Sequence, residues 1–134
     1  MSLEFVDTNV LLYAYDPTDP RHGPAVALIK RLVSSGVGAT SVQVLQEFYV
    51  NAVRKMNMAP ADATQANTRF ATWPTFAPVA ADVLDAARLA ETVQLSFWDA
   101  MIVHSAAAMG CATLWSEDLN PGQIINSVTV ANPF

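Results

Sequence analysis

Short apolar runs alternate with longer helical patterns along the whole chain. Leu3 to Val6 is a brief apolar run ending at Asp7, which predicts a strand. Asp7-Thr8-Asn9 opens a helical run, Val10 to Tyr15. Asp16-Pro17-Thr18-Asp19-Pro20 is rich in turn formers and predicts a loop. A helix is expected from about Pro24 to Ser34, with Pro24 suited to its first turn and Gly36 to its end. Val37 to Thr40 reads as a second strand. Ser41 then caps a third helix to about Met56, with Val44, Leu45, Phe48 and Ala52 apolar. A fourth helix runs from about Pro60 to Ala71, where Trp73-Pro74 stops it. Phe76 to Val79 is a third strand candidate. A fifth helix begins at Ala81 or Asp82 and ends before Ser96, with Val83, Leu84, Ala87, Leu89 and Ala90 toward the core.

Leu95 to Asp118 is the most informative stretch. Trp98 to Met109 is apolar nearly all the way round, the mark of a helix inside a core rather than on a surface. Gly110 follows where a left-handed cap would sit. Cys111 to Trp115 reads as a buried strand, Asn120-Pro121-Gly122 as a turn, and Ser127 to Val130 as a last strand. No repeat, low-complexity segment or linker interrupts the pattern, so one domain over residues 1–134 is expected.

Strands alternating with helices predict an α/β fold: a mainly parallel central sheet flanked by helices on both faces. Such sheets bind ligands outside the C-terminal ends of their strands. Asp7 ends the first strand, and Glu47 lies about two turns into the helix after the second. Asp99 sits in the first turn of the buried helix, and Asp118 follows the strand after it. A helix leading into a parallel strand runs antiparallel to it, so Asp99 and Asp118 are expected at the same edge of the sheet. All four acids fall on, or can reach, that edge.

Composition narrows the possibilities. The formal charge is −5 and half the residues are hydrophobic, which fits a compact domain and argues against unspecific nucleic-acid binding. If the four acids form one site, the remainder is near neutral, and the acidity is then largely a property of that site. All seven Lys and Arg lie at or before Arg88. No apolar run is long enough to span a membrane, and no signal peptide is evident. With Cys111 the only cysteine, no internal disulfide can form, and a cytoplasmic location is expected.

Each acid has a plain structural reading. Asp7 can be a helix N-cap. Ser96-x-x-Asp99 has the form of a capping box. Glu47 can share a solvated stripe with Gln43, Asn51 and Arg54, and Asp118 can belong to an ordinary polar turn with Glu117. These readings are independent, whereas convergence needs all four acids at once. Gathering them is costly, because two unit charges about 4 Å apart repel by about 4 kcal/mol at an effective dielectric of about 20. A cation, or protonation of some of the acids, relieves such a cluster. Carboxylates without a His or Cys ligand set suit Mg²⁺ or Mn²⁺ better than zinc. Ions of this kind can activate water against a phosphodiester. Thr8, Asn9 and Ser116 adjoin the acids and either position waters or cap backbone. Trp98 and Phe97 are read as core more readily than as base-stacking platforms, Cys111 as buried packing, His104 as a core or partner contact and His22 as exposed. Arg54 and Lys55, with Lys30, Arg31 and Arg69, are the candidates for contacts to a phosphodiester backbone outside the acid pocket.

Taken in order, these segments resemble a known family. Asp7-Thr8-Asn9 after a first strand, Glu47 in Gln-Val-Leu-Gln-Glu-Phe, Ser-Phe-Trp-Asp99-Ala, Ser-Glu-Asp118-Leu and the closing Val-x-Val-x-Asn-Pro-Phe resemble the PIN domain, and more narrowly the VapC-type toxin ribonucleases. The likeness covers essentially the whole length. It implies a PIN-like three-layer sandwich and a magnesium-dependent endoribonuclease cutting single-stranded or looped RNA. It also implies that Asp7, Glu47, Asp99 and Asp118 hold the metal, with Glu47 acting partly through water. A homodimer and a cognate antitoxin are implied as partners. The alternative from another class is a catalytically silent PIN-like module that binds RNA or protein without turnover.

Overall fold

The computed structural model describes residues 2–134; residue 1 of the expected domain lies outside the described residues. Its strands are β1 (Glu4–Val6), β2 (Gly38–Ser41), β3 (Thr75–Phe76), β4 (Thr113–Trp115), β5 (Ile124–Ile125) and β6 (Val128–Ala131). Its helices are α1 (Thr8–Tyr13), α2 (His22–Ser35), α3 (Val42–Lys55), α4 (Pro60–Phe70), α5 (Ala80–Val93) and α6 (Phe97–Ala108). The strands form one sheet in the order β3-β2-β1-β4-β6-β5, parallel except for the β5–β6 pair. Helices α1 to α4 pack as one group and α5 with α6 as another, completing the three-layer α/β sandwich.

The strand order has a physical consequence. From β1 the chain first builds outward through β2 and β3, then returns to β1's other side at β4. Beyond the C-terminal ends of β1 and β4 the connections therefore leave in opposite directions, and a crevice opens there. Val6 pairs with Trp115 at that end, and the Asp7 N–H donates to the Trp115 carbonyl at 2.9 Å.

Helix α6 is apolar nearly all round because it is enclosed: Ala100, Met101, Ile102, Val103, Ser105 and Ala106 are buried. Gly110 adopts the left-handed backbone, φ +72°, just past its end. In the core, Phe48 of α3 meets Phe70 of α4 and Tyr15 edge-on, at centroid separations of 5.5 and 5.7 Å.

Several local expectations are corrected. β3 covers Thr75 and Phe76 rather than Phe76 to Val79, since Pro78 has no N–H to give a ladder. β5 was not expected. Its residues have no alternation of their own and pair with β6 through a two-residue turn, Asn126-Ser127, with φ of +49° and +68°. Helix α5 buries Ala86, while Val83, Leu84 and Ala87, expected toward the core, are exposed. His22 is half-buried, its Nδ1 2.9 Å from the Tyr13 carbonyl.

Candidate active site

Asp7 is placed by the first strand. As that strand ends, its backbone stays extended and Asp7 becomes the N-cap of α1, its Oδ1 accepting the Thr8 N–H at 2.7 Å. The other oxygen, Oδ2, accepts the Ser116 hydroxyl at 2.9 Å. Ser116 follows β4, is fully buried, and its Oγ also accepts the Asp118 N–H at 3.1 Å. A single hydroxyl thus joins the two strand ends and fixes both acids that follow them.

Glu47 arrives from α3, whose start is fixed by the Ser41 cap. Its Oε1 accepts from Thr8 Oγ1 and from Gln43 Nε2, both at 3.2 Å. Asp99 enters on the first turn of α6, where the Ser96 hydroxyl accepts its N–H at 3.1 Å. That bond uses the Asp99 backbone only, so the capping leaves its carboxylate uncommitted. Asp118 Oδ2 accepts from Asn9 Nδ2 at 3.1 Å.

All four acids line one cleft of about 80 Å³, together with Thr8, Asn9, Gln43, Asn51, Trp98 and Ile102. Among the described residues no lysine, arginine or histidine pairs with any of the four. Asp7 is 7% exposed, and burial, partly offset by the Ser116 and Thr8 bonds, lifts its carboxyl from 3.8 to about 7. The charges of Asp118 and Glu47 push the same way. Burial also raises Glu47, against the bonds from Thr8 and Gln43, and the charges of Asp99 and Asp118 add to the rise. Asp118 is raised by burial and then by Asp99 and Glu117. The cleft is a charge cluster that the protein alone leaves uncompensated.

A hard divalent cation suits this oxygen-only donor set. Gln43, which lines the same cleft, has a buried side-chain oxygen with no partner. Among the described residues, however, no three Asp, Glu, His or Cys side chains are arranged to hold an ion directly. The residues fit an ion that keeps part of its water shell, as Mg²⁺ does when one or two carboxylates bind it.

Trp98 is 64% exposed and lines the cleft rather than the core, and Phe97 is half-buried beside it. Helix α6 is already anchored by the residues after Asp99, leaving Trp98 at its solvent end. Gln43, Glu47 and Asn51, expected on a solvated stripe, instead line the cleft at four-residue steps of α3. That spacing is the signal by which Gln43 and Asn51 could have been found. Lys55 continues the row into a neighbouring cavity, whereas Arg54 is exposed and lines neither. Arg31 is occupied by Glu4 at the opposite end of β1, and Arg69 borders a separate apolar pocket with Phe70 and Trp73. Lys30 is exposed on α2 and lines neither cavity. His104 Nε2 lies 2.8 Å from Asp82 Oδ1, joining α6 to α5 rather than entering the cleft. Cys111 is buried, and burial raises its thiol to about 11.

Comparison with known proteins adds a family signature. The PIN domain family model matches residues 5–124. VapC20 from Mycobacterium tuberculosis, described as a Sarcin-Ricin loop cleaving toxin, is 26% identical over 82% of this chain and 85% of its own, with a TM-score of 0.64. A toxin–antitoxin complex from Klebsiella pneumoniae is 17% identical over 98% of each chain, with a TM-score of 0.70. DNA-bound VapBC from Salmonella typhimurium covers all of both chains at 14% identity, also with a TM-score of 0.70. At those two identities the likeness is one of fold. No curated protein sequence matches the chain.

Proposed function

The chain belongs to the PIN domain family, and from that premise we propose that it is a divalent-metal-dependent endoribonuclease, the toxin of a toxin–antitoxin pair. The observation that carries this reading is the cleft itself: four carboxylates from four separate segments share one crevice with no cationic side chain among them. Asp7 and Asp99 would hold Mg²⁺ directly, with Mn²⁺ able to substitute, and Asp118 and Glu47 would reach it through water. When bound, the cation supplies Lewis acidity, acidifying water and offsetting charge on the phosphate oxygens.

The protein's own groups do the positioning. Ser116 holds Asp7 and the start of the Asp118 turn in fixed relation. Thr8 and Gln43 hold Glu47. Asn9 orients Asp118. Preorganised acids of this kind cost no rearrangement when substrate arrives. Burial raises both the Asp7 and the Glu47 carboxyls in the metal-free protein, so a bound cation would also offset the cost of ionising them.

An antitoxin and a second copy of the chain are the proposed partners. Exposed apolar side chains support this: Val42, Tyr49 and Val50 on α3, and Val79, Val83 and Leu84 around the start of α5. Among the described residues no helix is long and apolar enough to cross a membrane. The lone Cys111, buried and without a disulfide partner, suits a reducing cytoplasm.

The second reading, a PIN-like binding module without turnover, is favoured by one observation: no three of the acids are arranged to hold an ion directly. Incubation of the purified protein with cellular RNA, with Mg²⁺ or with chelator, separates the two. The proposal expects cleavage with Mg²⁺ alone, lost in Asp99→Asn. Absent cleavage, or cleavage that survives chelation, would overturn it.

A further inference from the structure

A second cavity, of about 210 Å³, adjoins the acid cleft, and Asn9 and Asn51 line both. Leu12, Tyr13 and Met56 also line it, with Asp16 and Lys55. Tyr13 is a fixed wall. The Arg21 guanidinium lies 4.0 Å from its ring centroid, Phe134 meets it edge-on at 5.3 Å, and its hydroxyl donates to Glu117. Among the described residues the Asn51 amide and the Lys55 ammonium have no hydrogen-bond or ion-pair partner, although the side chains around them are largely tied down.

Helix α3 sets the direction across the two cavities. Gln43, Glu47, Asn51 and Lys55 follow one another at four-residue steps, about 6 Å each at about 1.5 Å per residue. Gln43 is bonded to the Trp98 carbonyl, Glu47 faces the acids, Asn51 borders both cavities and Lys55 lies in the second. A strand laid along this helix meets acids first and an apolar, amide-edged recess next.

We propose that the second cavity is a subsite for one unpaired RNA base, carried by a nucleotide adjoining the scissile phosphate. The proposal rests on the nuclease reading above. A base has apolar faces and an edge of paired donors and acceptors. Leu12 and Met56 offer apolar surface to its faces. The Asn51 carboxamide offers a donor and an acceptor side by side to its edge. Lys55 supplies a single positive charge for the neighbouring phosphate. Sequence in RNA is read mainly from bases splayed out of single strands and loops, and this recess is where the fold can take one.

The test is cleavage of a degenerate single-stranded RNA pool with Mg²⁺, with sequencing of the new ends. Wild type is expected to favour one base at a fixed position beside the cut by about tenfold or more, the discrimination of one good edge contact. Asn51→Ala and Met56→Ala should flatten that preference, whereas Lys55→Ala should lower cleavage of all sequences alike. An unaltered preference in both Asn51→Ala and Met56→Ala overturns the subsite. Should wild type cut nothing, the nuclease reading fails, and the subsite is judged by a titration of the metal-free protein with the four ribonucleosides. There, NMR shifts at the Asn51 amide and Met56 methyl support it, and their absence with every nucleoside overturns it.

Discussion

The hydroxyl of Ser116 donates to Asp7 Oδ2 at 2.9 Å, joining residues 109 positions apart. The same oxygen accepts the Asp118 N–H, so this one side chain connects the ends of β1 and β4 at the point where the sheet changes direction. Ser116→Ala leaves a buried carboxylate oxygen and a backbone N–H without their partner. A loss of about 1–3 kcal/mol in unfolding stability is expected. Because the Ser116 bond holds the Asp7 carboxyl down, its removal should also move the acid limb of the pH–rate profile upward. Ser116→Thr, which keeps the hydroxyl, should restore the profile; urea titration and pH–rate measurements check both.

Asp7 makes stability depend on pH in the metal-free protein. Its folded carboxyl is lifted from 3.8 to about 7, so between those values the folded state binds more protons than the unfolded one. The contribution of Asp7 is therefore fully favourable below about pH 4 and is lost as pH rises to about 7. At about 1.4 kcal/mol per unit the loss is about 4 kcal/mol. Urea unfolding in chelator across this window should show the decline, and Asp7→Asn should reduce it, leaving the smaller part due to the raised Glu47 and Asp118, while raising stability at pH 8.

Much of this arrangement is legible in the sequence because it is local. The all-apolar helix before Gly110 has to be enclosed, and a strand ending in Asp7 must leave that acid at the sheet's edge. What escaped was set by packing between distant segments. Val83 and Leu84 look like core positions, but α5 lies against α6 through the small Ala86, leaving them outside. Trp98 looks like core until the rest of α6 is seen to be sufficient anchorage. β5 exists only because Asn126 and Ser127 accept positive φ and fold Ile124–Ile125 back on β6. The row Gln43-Glu47-Asn51 is visible at helical spacing, yet only the fold reveals that it faces acids rather than solvent.

Gly38 tests how tightly the sheet's far side is packed. A methyl group there would sit 2.9 Å from the Trp73 ring, so ring or strand must move. Gly38→Ala is expected to destabilise the protein by about 1–3 kcal/mol, the usual range for overpacking. The acid cleft lies elsewhere, so metal affinity measured on the folded fraction should be retained.

The four acids of the cleft remain uncompensated until a divalent cation joins them. Calorimetric titration of Mn²⁺ into the metal-free protein at neutral pH tests that most directly, alongside Asp7→Asn and Asp99→Asn. Saturable binding by wild type, weakened about tenfold or more in each variant, is the predicted result. Binding that is absent in wild type, or equally strong in both variants, would contradict it.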